Sequence, residues 1–584
     1  MAAHPHRRPA SAVRDRTTIP ASRLAAPGRM SHTAPDATVR TATGPTERGD
    51  RVEEGVPMPR IHRLAALTLV AILLAPVGAA QAASPAAAGP TPRFHPMACP
   101  ADVFPPGSKV DCGYVTVPED RAHPGGRTIR VAAAVMHATS RHPAADPIVF
   151  LDGGPSFGAI AGFAVDAYFG GTSYAEDHDV VLVDTRGTGL SEPRLGCPEI
   201  DEANVTAFYS GPYVNSNGTA LMTEAIGACR DRLTGAGIDL ASYDSAESAA
   251  DLDTLRSALG YRTWNLIALS ADGVLGLTYM RLFPKAIRSA VIDSGQSPQH
   301  LWGLDYIRGL NEELEAIFAG CAANGACNAA YPHLRRVFYD FVERLNAHPA
   351  TITFPDFQPG PVKLRLDGAG FYLDALFGIF PGNLYAPDSI RPLLSEIWRS
   401  AHGELVDVYR ERFGTGPTEN DHANDFVAMG KTLSYVCRDL VGFIKPADLR
   451  KAARDLPAMA SIFLDPDYDL ADGSTNVISP AGCRTWNVGV AAPVQHKPVR
   501  SSIPTLVLAG EYDTGVPPSV VRQVLPGLSR SYYYEFPASA HVQLASYNGA
   551  AECARWIVAR FLDDPDARPD ASCIAALPAF DFTP

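Results

Sequence analysis

The hydrophobic positions between about residue 110 and residue 297 form short runs separated by helical patterns. The runs are bounded by Gly, Pro, Asp or Ser and comprise Ile129–Val135, Ile148–Leu151, Val180–Val183, Leu266–Leu269 and Ala290–Ile292. Runs this short are typical of strands buried on both faces. Before the fourth run, Ser245–Leu259 places its leucines on one helical face, with Ser245 as the predicted N-cap and Gly260 just past the end. The alternation predicts an α/β fold with a mostly parallel central sheet.

This alternation disappears between residues 298 and 490. Helical patterns at Leu304–Ala319 and Leu334–Leu345 are separated there by loops rich in Pro and Gly, such as FPDFQPGP and FGTGPT. Strand and helix patterns then return at three segments, Thr505–Ala509, Tyr532–Phe536 and Ala550–Leu562. We therefore predict one sheet domain, formed by residues 95–297 and 491–584, with a mainly helical cap at residues 298–490 inserted before the last strands.

Residues 1–82 carry signals of processing rather than of fold. Residues 1–57 are rich in Arg, Pro, Thr and Ala and have no apolar periodicity, so we predict a disordered extension or a mis-assigned start. Residues 58–82 combine a basic beginning, an apolar stretch and the small-residue site Ala80-Gln81-Ala82, which is the pattern of a cleaved signal peptide. A membrane anchor is the alternative, but the apolar stretch is short and Pro76 interrupts it. We expect a secreted or periplasmic protein without a stable membrane anchor.

Charge and cysteine usage narrow the class of function. The formal net charge of −13 comes from scattered acids, which argues against a nucleic-acid partner. An even number of cysteines in an exported chain favours disulfides over metal thiolates, and pairing of neighbours along the chain is the simplest arrangement, although sequence does not fix it. All ten cysteines follow the predicted signal: Cys99, Cys112, Cys197, Cys229, Cys321, Cys327, Cys437, Cys483, Cys553 and Cys573. We expect a monomer with no metal and no organic cofactor.

The segment WNLIALSADGVLGLTYMR places Ser270 between an apolar run and a helical pattern. A nucleophilic serine in a sharp strand-to-helix turn has this context, with small residues two positions before and two after it. Ala268 keeps the first position small, whereas Asp272 occupies the second and the nearest glycine, Gly273, comes one position late. The motif by itself therefore leaves two interpretations open, a nucleophile or an ordinary buried turn serine.

An acid and a histidine follow Ser270 in the order that a Ser-Asp-His triad requires in this class of sheet. Asp513 comes just after the strand pattern in IPTLVLAGEYDTGVPP, where such sheets present catalytic side chains. His541 lies in the loop after the next strand pattern, in YYYEFPASAHVQL. Either residue alone has an ordinary explanation, but their order, strand context and spacing together strengthen the assignment of Ser270 as the nucleophile.

Backbone donors for an oxyanion hole are predicted near the first strands and directly after the nucleophile. The stretch PIVFLDGGPSFG supplies Gly153 and Gly154 after the run Ile148–Leu151, and Ala271 supplies the N–H that follows Ser270. A simple glycine turn is the alternative for the Gly153-Gly154 pair.

Taken together, DGGPSFG, DVVLVDTRGTGLSEP, YDSAESAADLDTLRSALGYRTWNLIALS, IRSAVIDSG, PTLVLAGEYDTGVPP and PASAHV are similar to the α/β-hydrolases of the proline iminopeptidase-like serine peptidases, in particular the secreted bacterial tripeptidyl aminopeptidases. The resemblance covers roughly Cys99 to Cys573. It implies an α/β-hydrolase core, a cap over the active site, and cleavage of short peptides from a free amino end. By position it makes Ser270 the nucleophile, Asp513 the orienting acid and His541 the base.

The resemblance also assigns secondary roles. Arg186, in the matching stretch DTRGTG, is taken as structural, with substrate binding as the alternative. Cap acids of such enzymes can pair with a substrate ammonium, and here the candidates are Glu312, Glu313 and Glu315, which sequence does not rank. The family usually has glycine where this chain has Ala268 and Asp272, and an aromatic residue where it has Ala271.

Three functions follow as hypotheses. The first is a secreted serine aminopeptidase that releases short peptides or residues through an acyl-enzyme. The second is a carboxylesterase, because ester and peptide acyl transfer use the same machinery. The third is an inactive hydrolase fold that binds a peptide or cell-wall component, an interpretation that the carboxylate of Asp272 beside the oxyanion hole favours.

Overall fold

The computed structural model describes residues 92–154, 156–160, 172–203, 216–355, 361–378, 387–413, 427–464, 479–546 and 549–584. All of these residues belong to one compact unit, Pro85–Pro584. The predicted extension, residues 1–57, and the predicted signal peptide, residues 58–82, lie outside the described residues.

Within the described residues, nine strands form one sheet and two form a separate hairpin. The sheet has the order β1-β2-β3-β5-β4-β6-β7-β10-β11, and β8 pairs with β9. The strands are β1 (Phe94–Pro96), β2 (Val110–Pro118), β3 (Thr128–Met136), β4 (Ile148–Leu151), β5 (Val180–Asp184), β6 (Trp264–Leu269), β7 (Ile287–Asp293), β8 (Ala350–Phe354), β9 (Val362–Leu366), β10 (Thr505–Gly510) and β11 (Ser531–Phe536).

Six neighbouring strands of the sheet, from β5 to β11 in its order, run parallel to one another. Strands β1, β2 and β3 pair antiparallel at one side. The carboxyl ends of parallel strands share one edge of a sheet, so the loops after β4, β6, β7, β10 and β11 meet there. The mostly parallel α/β sheet predicted from the sequence is confirmed.

The helices with described bounds are α1 (Ser173–Asp177), α2 (Ser216–Gly235), α3 (Ser245–Ala258), α4 (Gly273–Leu282), α5 (Leu304–Ala323), α6 (Gly325–Ala330), α7 (Leu334–Ala347), α8 (Gly368–Gly378), α9 (Ile390–Arg399), α10 (Leu405–Phe413), α11 (Met429–Asp439), α12 (Pro446–Asp455), α13 (Ala460–Leu464), α14 (Pro480–Trp486), α15 (Pro518–Val521) and α16 (Ala550–Asp563). One turn of π-helix, Ser400–Glu404, joins α9 to α10.

Both faces of the sheet are covered. Along β6, Leu266 and Ala268 face a core shared with α3 and α4, whereas Ile267 and Leu269 face a core shared with α16. This two-sided burial explains why the central strands are continuous apolar runs instead of alternating patterns.

One detail of the predicted helix Ser245–Leu259 is corrected. The N-cap is Asp244, whose extended backbone allows its carboxylate to accept the N–H of Glu247. Ser245 is the first helical residue, and its own N–H donates to the carboxylate of Asp439. The predicted end of the helix is confirmed, because Gly260 follows the helix with a φ of 82°.

The segment between β7 and β10 divides into two packing groups. Helices α5 to α10, α12 and α13 and the β8–β9 hairpin surround a core of their own, to which Tyr512 and Phe582 also contribute. Helices α11 and α14 instead pack with α2 and with Val274 of α4. Helices therefore predominate among the described residues of 298–490, together with a hairpin that the sequence patterns did not predict.

All ten cysteines are paired with their neighbours along the chain, as the simplest arrangement predicted. The disulfides are Cys99–Cys112, Cys197–Cys229, Cys321–Cys327, Cys437–Cys483 and Cys553–Cys573. Cys197, Glu199 and Cys229 form the one cluster of possible metal ligands found among the described residues. Its two sulfurs are joined to each other and Glu199 is paired with Arg232, so we assign no metal to it.

In the part of the chain that the structure describes, no helix combines the length and the apolar character needed to cross a membrane.

Candidate active site

Ser270 occupies a strained turn between β6 and α4. Its φ is 51°, in the left-handed region that a residue with a Cβ rarely adopts. Ser270 is half-buried, whereas Leu269 and Ala271 on either side of it are fully buried. Strained backbone of this kind persists where the surrounding structure holds it, and such sites are commonly functional. The turn therefore presents the serine side chain at the carboxyl edge of the sheet, as a nucleophile elbow does.

Two glycines of α4 allow the helix to approach the sheet closely. A Cβ on Gly276 would lie 2.8 Å from the Cβ of Ala268 on β6. A Cβ on Gly273 would lie 2.8 Å from the backbone of Gln296 and from Cα of Gly295, beyond the end of β7. Distances this short exclude any larger side chain, so small residues at these positions permit the sharp turn at Ser270.

Asp513 and His541 form a buried pair at the same edge. Nδ1 of His541 lies 2.7 Å from Oδ1 of Asp513, which also accepts the N–H of Val516 at 2.7 Å. Asp513 is 0% exposed and His541 is 6% exposed. Burial alone would lower the pKa of His541, but the charge of Asp513 and its hydrogen bond outweigh burial and hold that pKa above its usual range. The geometry fixes Nδ1 as the atom that faces the acid and leaves Nε2 for a substrate or nucleophile.

The end of β7 holds the loop that carries His541. The carboxylate of Asp293 accepts the N–H groups of Gln543 and Leu544, each at 2.9 Å. Oγ of Ser294 accepts the N–H of Val542 at 3.0 Å. Ser294 and Val542 both have positive φ, at 51° and 59°. Three consecutive N–H groups after the histidine are thus fixed by two side chains.

The turn that carries Ser270 is also bonded to the chain that follows β7. The N–H of Gln296 donates to the carbonyl of Ser270 at 3.0 Å, and the hydroxyl of Tyr435 donates to the carbonyl of Ala271 at 3.2 Å. The chain after β7 therefore binds both the serine turn, through Gln296, and the histidine loop, through Asp293 and Ser294. These contacts assemble the three predicted triad residues at one edge of the sheet.

The predicted oxyanion turn lies directly against Ser270. Gly153 and Gly154 have φ values of 93° and 104°, which favour glycine. A Cβ on Gly153 would lie 3.0 Å from the Cβ of Ser270. The N–H of Gly153, however, donates to Oδ2 of Asp272 at 3.2 Å, so this N–H is directed at a carboxylate and not at an oxyanion. The candidate oxyanion donors narrow from three to the N–H groups of Gly154 and Ala271.

Asp272 belongs to a buried group of charges beneath this turn. Burial raises the pKa of Asp272 to about 7, although the charge of Lys431 and the N–H of Gly153 act to lower it. Burial, followed by the charges of Asp272 and Asp184, raises the pKa of Asp152 to about 7 as well. Burial and Arg186 lower the pKa of Lys431 to about 8 against the opposing effect of Asp272. Lys431 therefore supplies an opposing charge to Asp272 within the same buried group.

Arg186 is enclosed by the core. Its side chain is 0% exposed and binds both carboxylate oxygens of Asp251, at 2.7 and 2.8 Å. It also donates to the carbonyls of Glu119 and Ser242 at 2.7 and 2.6 Å. These contacts favour the structural role over substrate binding.

The three candidate cap acids on α5 have different surroundings in the structure. Glu315 is bound by Arg335 and by the hydroxyl of Tyr339, at 2.5 and 2.6 Å. Glu312 is exposed. Glu313 is buried, and neither of its carboxyl oxygens has a hydrogen-bond partner among the described residues. Burial, with added repulsion from Asp513, raises the pKa of Glu313 well above its usual range.

Helix α5 brings Glu313 to the loop that carries Asp513. The hydroxyl of Tyr306 donates to the carbonyl of Thr514, and Gly309 packs against Pro517 so closely that a Cβ would come within 2.5 Å. Helix α5 therefore lies on the loop of Asp513, with Glu313 near enough for the charge of Asp513 to raise its pKa.

Sequence reasoning missed several residues of this site. Asp293, Ser294 and Lys431 were not singled out, although IRSAVIDSG was among the quoted stretches. The available signal was a charged and a polar residue directly after an apolar run, which on a parallel sheet falls at the functional edge. Gly515 was also missed; an added Cβ there would meet the ring of His541.

Comparison with known proteins finds family models that match two regions of the chain. A family model described as "alpha/beta hydrolase fold" matches residues 146–316, and one described as "TAP-like protein" matches residues 471–573. A tripeptidyl aminopeptidase of Streptomyces lividans is 26% identical over 427 residues, which are 70% of this chain and 73% of that protein. The serine protease Hip1 of Mycobacterium tuberculosis is 26% identical over 371 residues, 61% of this chain and 69% of that protein.

A third relative is named for a different reaction. Carboxylesterase B of Mycobacterium tuberculosis is 26% identical over 329 residues, 53% of this chain and 60% of that protein. The two matched family regions contain the serine turn and the loops of Asp513 and His541. The chain is therefore an enzyme with the α/β-hydrolase fold and a TAP-like carboxyl-terminal region.

Proposed function

We propose that this protein is a secreted serine aminopeptidase that releases short peptides or residues from free peptide amino ends. One observation carries the proposal: Ser270 is presented by a positive-φ turn at the sheet edge where the buried Asp513–His541 pair also lies. The relatives named as tripeptidyl aminopeptidase and serine protease support the peptidase assignment.

The mechanism is acyl transfer through Ser270. His541 takes the proton of the serine hydroxyl through Nε2 as the oxygen attacks the substrate carbonyl carbon. It then returns the proton to the leaving amine, and a water activated in the same way hydrolyses the acyl-enzyme. Asp513 keeps the proton of the neutral imidazole on Nδ1 and stabilises the imidazolium that forms. General base catalysis of this kind contributes about 10²- to 10⁴-fold.

The oxyanion is assigned to backbone donors. The N–H of Ala271 follows the nucleophile, and the N–H of Gly154 lies in the turn packed against Ser270. Removing one such donor from a hydrolase costs about 3 kcal/mol of barrier, so the position of the Gly153-Gly154 turn strongly affects the rate.

Glu313 is our candidate for recognition of the free amino end. It is a buried carboxyl without a hydrogen-bond partner among the described residues, close to Asp513. A buried carboxyl is expensive to ionise alone, but a substrate ammonium supplies the missing counter-charge. Binding of a free amino end should therefore be accompanied by release of a proton from Glu313.

A carboxylesterase is the second candidate, favoured by the relative named carboxylesterase B. It would use the same nucleophile, base and oxyanion donors, with no need for Glu313. An inactive peptide-binding protein is the third.

Export is also part of the proposal. Five disulfides fit an oxidising compartment, and residues 58–82 have the pattern of a cleaved signal. Expression in a bacterial host followed by amino-terminal sequencing of exported protein should find a start after Ala82; retention of residues 58–82 would contradict it.

The first experiment is labelling with a fluorophosphonate probe, with the adduct located by peptide mass spectrometry. We expect modification of Ser270 in the wild type and none in Ser270→Ala. A folded wild-type protein that is not labelled at Ser270 would exclude both enzyme candidates and favour the inactive binding protein.

The second experiment separates peptidase from esterase. Peptide p-nitroanilides with a free amino end are compared with their acetylated forms and with p-nitrophenyl esters. An aminopeptidase loses activity on acetylation, and Glu313→Gln should raise KM for the free peptides without changing hydrolysis of the esters. Glu312→Gln, an exposed neighbour on the same helix, is the matched control. Equal activity on free and acetylated peptides would refute recognition of the amino end.

A further inference from the structure

Asp272 does not do what an acid at the start of a helix ordinarily does. It precedes α4 at the N-cap position, yet its side chain makes no capping hydrogen bond to that helix. Its carboxyl oxygen Oδ2 instead accepts the N–H of Gly153, from a loop 119 residues earlier in the chain. Asp272 is 6% exposed, so this is a contact made in the interior, beneath the elbow.

The contact joins the two parts of the predicted oxyanion hole. Asp272 is two residues after Ser270 and one after Ala271, whose N–H is one predicted donor. Gly153 is one residue before Gly154, whose N–H is the other. Both glycines have positive φ, a conformation that the local sequence favours only weakly over others available to glycine. A bond from the elbow to Gly153 therefore sets the distance between the two donors.

The charges around Asp272 come from several elements. The charge of Lys431, on α11, acts on Asp272, and Nζ of Lys431 donates to the carbonyl of Tyr243, at 2.8 Å, and to Oγ of Ser248, at 3.1 Å. The charge of Asp272 in turn helps to raise the pKa of Asp152, which follows β4. The positive end of the α4 dipole is adjacent to Asp272. The hydroxyl of Tyr435, also from α11, binds the carbonyl of Ala271.

We propose that Asp272 is a positioning residue: its carboxyl group anchors the N–H of Gly153 and so fixes the Gly153-Gly154 turn relative to the nucleophile elbow. Asp272 touches neither substrate nor reacting atoms, and it acts through the position of the Gly154 N–H. The catalytic consequence rests on the proposed serine acyl-transfer function. Because the anchor serves an oxyanion that exists only after attack, it affects acylation rather than substrate binding.

According to the proposal, the hydrogen-bond-accepting oxygen of Asp272 matters and its charge does not, and two substitutions distinguish these properties. Asp272→Asn keeps an oxygen able to accept the Gly153 N–H and removes the charge, whereas Asp272→Ala removes both. We expect Asp272→Ala to lower the rate constant for acylation by about 10- to 100-fold, as displacements of about 1 Å do, with KM within about twofold of wild type. Asp272→Asn should recover to within about threefold of the wild-type rate.

The experiment has two readouts on the full chain. The first is the acylation burst with p-nitrophenyl acetate, which requires no peptide specificity. The second is hydrogen exchange by mass spectrometry over the peptide containing Gly153, which requires no activity. Asp439→Ala is the matched control, because Asp439 is likewise buried and accepts one backbone N–H, from Ser245 at 2.8 Å. It should lower the melting temperature without selectively lowering the burst rate.

Faster exchange at Gly153 and a slower burst in Asp272→Ala, with both restored in Asp272→Asn, would support the proposal. Wild-type burst rates in a folded Asp272→Ala would overturn it, as would an Asn variant as slow as the Ala variant. The exchange pattern in a wild type that neither releases p-nitrophenol nor is labelled by a fluorophosphonate at Ser270 would instead overturn the proposed function and, with it, the catalytic consequence. If the protein cleaves esters but not peptides, the positioning role of Asp272 would still be supported and only the peptidase assignment would be overturned.

Discussion

Gly515 is the position at which a single methyl group should disable the enzyme without unfolding it. It lies in the loop after β10, two residues beyond Asp513. A Cβ on Gly515 would meet the ring of His541, at 2.5 Å from Cγ and 2.7 Å from Cε1, with Nδ1 also in contact. The φ of Gly515 is not positive, so it does not disfavour alanine, and the three atoms nearest to the added Cβ all belong to the ring of His541.

The size of the effect follows from these distances. Carbon atoms in contact prefer separations of about 3.5 to 4.0 Å, so the ring in Gly515→Ala must retreat by roughly 1 Å. Nδ1 moves with it, and its bond to Asp513, now 2.7 Å, would lengthen beyond the limit of about 3.5 Å for a useful hydrogen bond. Misplacement by about 1 Å costs about 10²-fold, and loss of the correct imidazole tautomer costs up to about 10⁴-fold. We therefore expect kcat to fall by about 10²- to 10⁴-fold.

The assay is the pH dependence of fluorophosphonate labelling at Ser270 together with thermal unfolding. Asp513 is what holds the pKa of His541 above its usual range, so in Gly515→Ala the acidic limb of the profile should move to lower pH as the rate falls. Gly325→Ala is the matched control, because a Cβ on exposed Gly325 meets nothing within 4 Å. A folded Gly515→Ala that labels within about threefold of wild type, with an unmoved acidic limb, would refute the reasoning.

Three further predictions follow from the same structure. Activity of the wild type should be lost as the pH falls through the raised pKa of His541, because the base must be neutral; an acidic limb centred below the usual histidine range would contradict this. Replacing both Cys437 and Cys483 by Ala, which opens a loop with a sequence separation of 46, should cost about 4 kcal/mol in denaturant unfolding, and an unchanged midpoint would count against it. Asp293→Ala should lower the burst rate with p-nitrophenyl acetate by tenfold or more, since two N–H groups of the His541 loop lose their acceptor; an unaffected rate in folded protein would exclude that role.

Most of the sheet could be predicted from the sequence because its central strands are buried on both faces. The run Ile148–Leu151 has the same bounds in the structure, and the run at Leu266–Leu269 begins two residues earlier, at Trp264. Strand β2 was missed because it lies beside the edge of the sheet and includes Asp111 and Gly113, which interrupt its apolar pattern. A strand buried on two faces has a continuous run of apolar residues in the sequence, whereas a partly buried strand near an edge does not.

The convergence of Ser270, Asp513 and His541 at one edge could also be predicted, but the contacts that hold the site could not. Ser270, Asp513 and His541 follow strand patterns whose carboxyl ends must share an edge, so topology alone brings them close together. The acceptor of the Gln543 N–H is Asp293, 250 residues away, and no periodicity indicates such a pair. The same holds for Gly153 and Asp272. Side-chain to backbone bonds between distant loops depend on the folded coordinates of both partners.

The departure of this elbow from G-x-S-x-G is explained by which atoms must be close. The strand and helix need small residues where their backbones approach, and in this chain those contacts are made by Ala268 with Gly276 and by Gly273 with the chain after β7. Position 272 is consequently released from the steric requirement, because its side chain points toward Gly153 and not into the strand–helix contact. A carboxylate can then occupy it at the positive end of α4, with Lys431 as a buried counter-charge. The G-x-S-x-G motif thus reflects close contacts between the strand and the helix that flank the serine. A sequence that makes these contacts with a glycine one turn further along the helix can place a functional group where the motif has glycine.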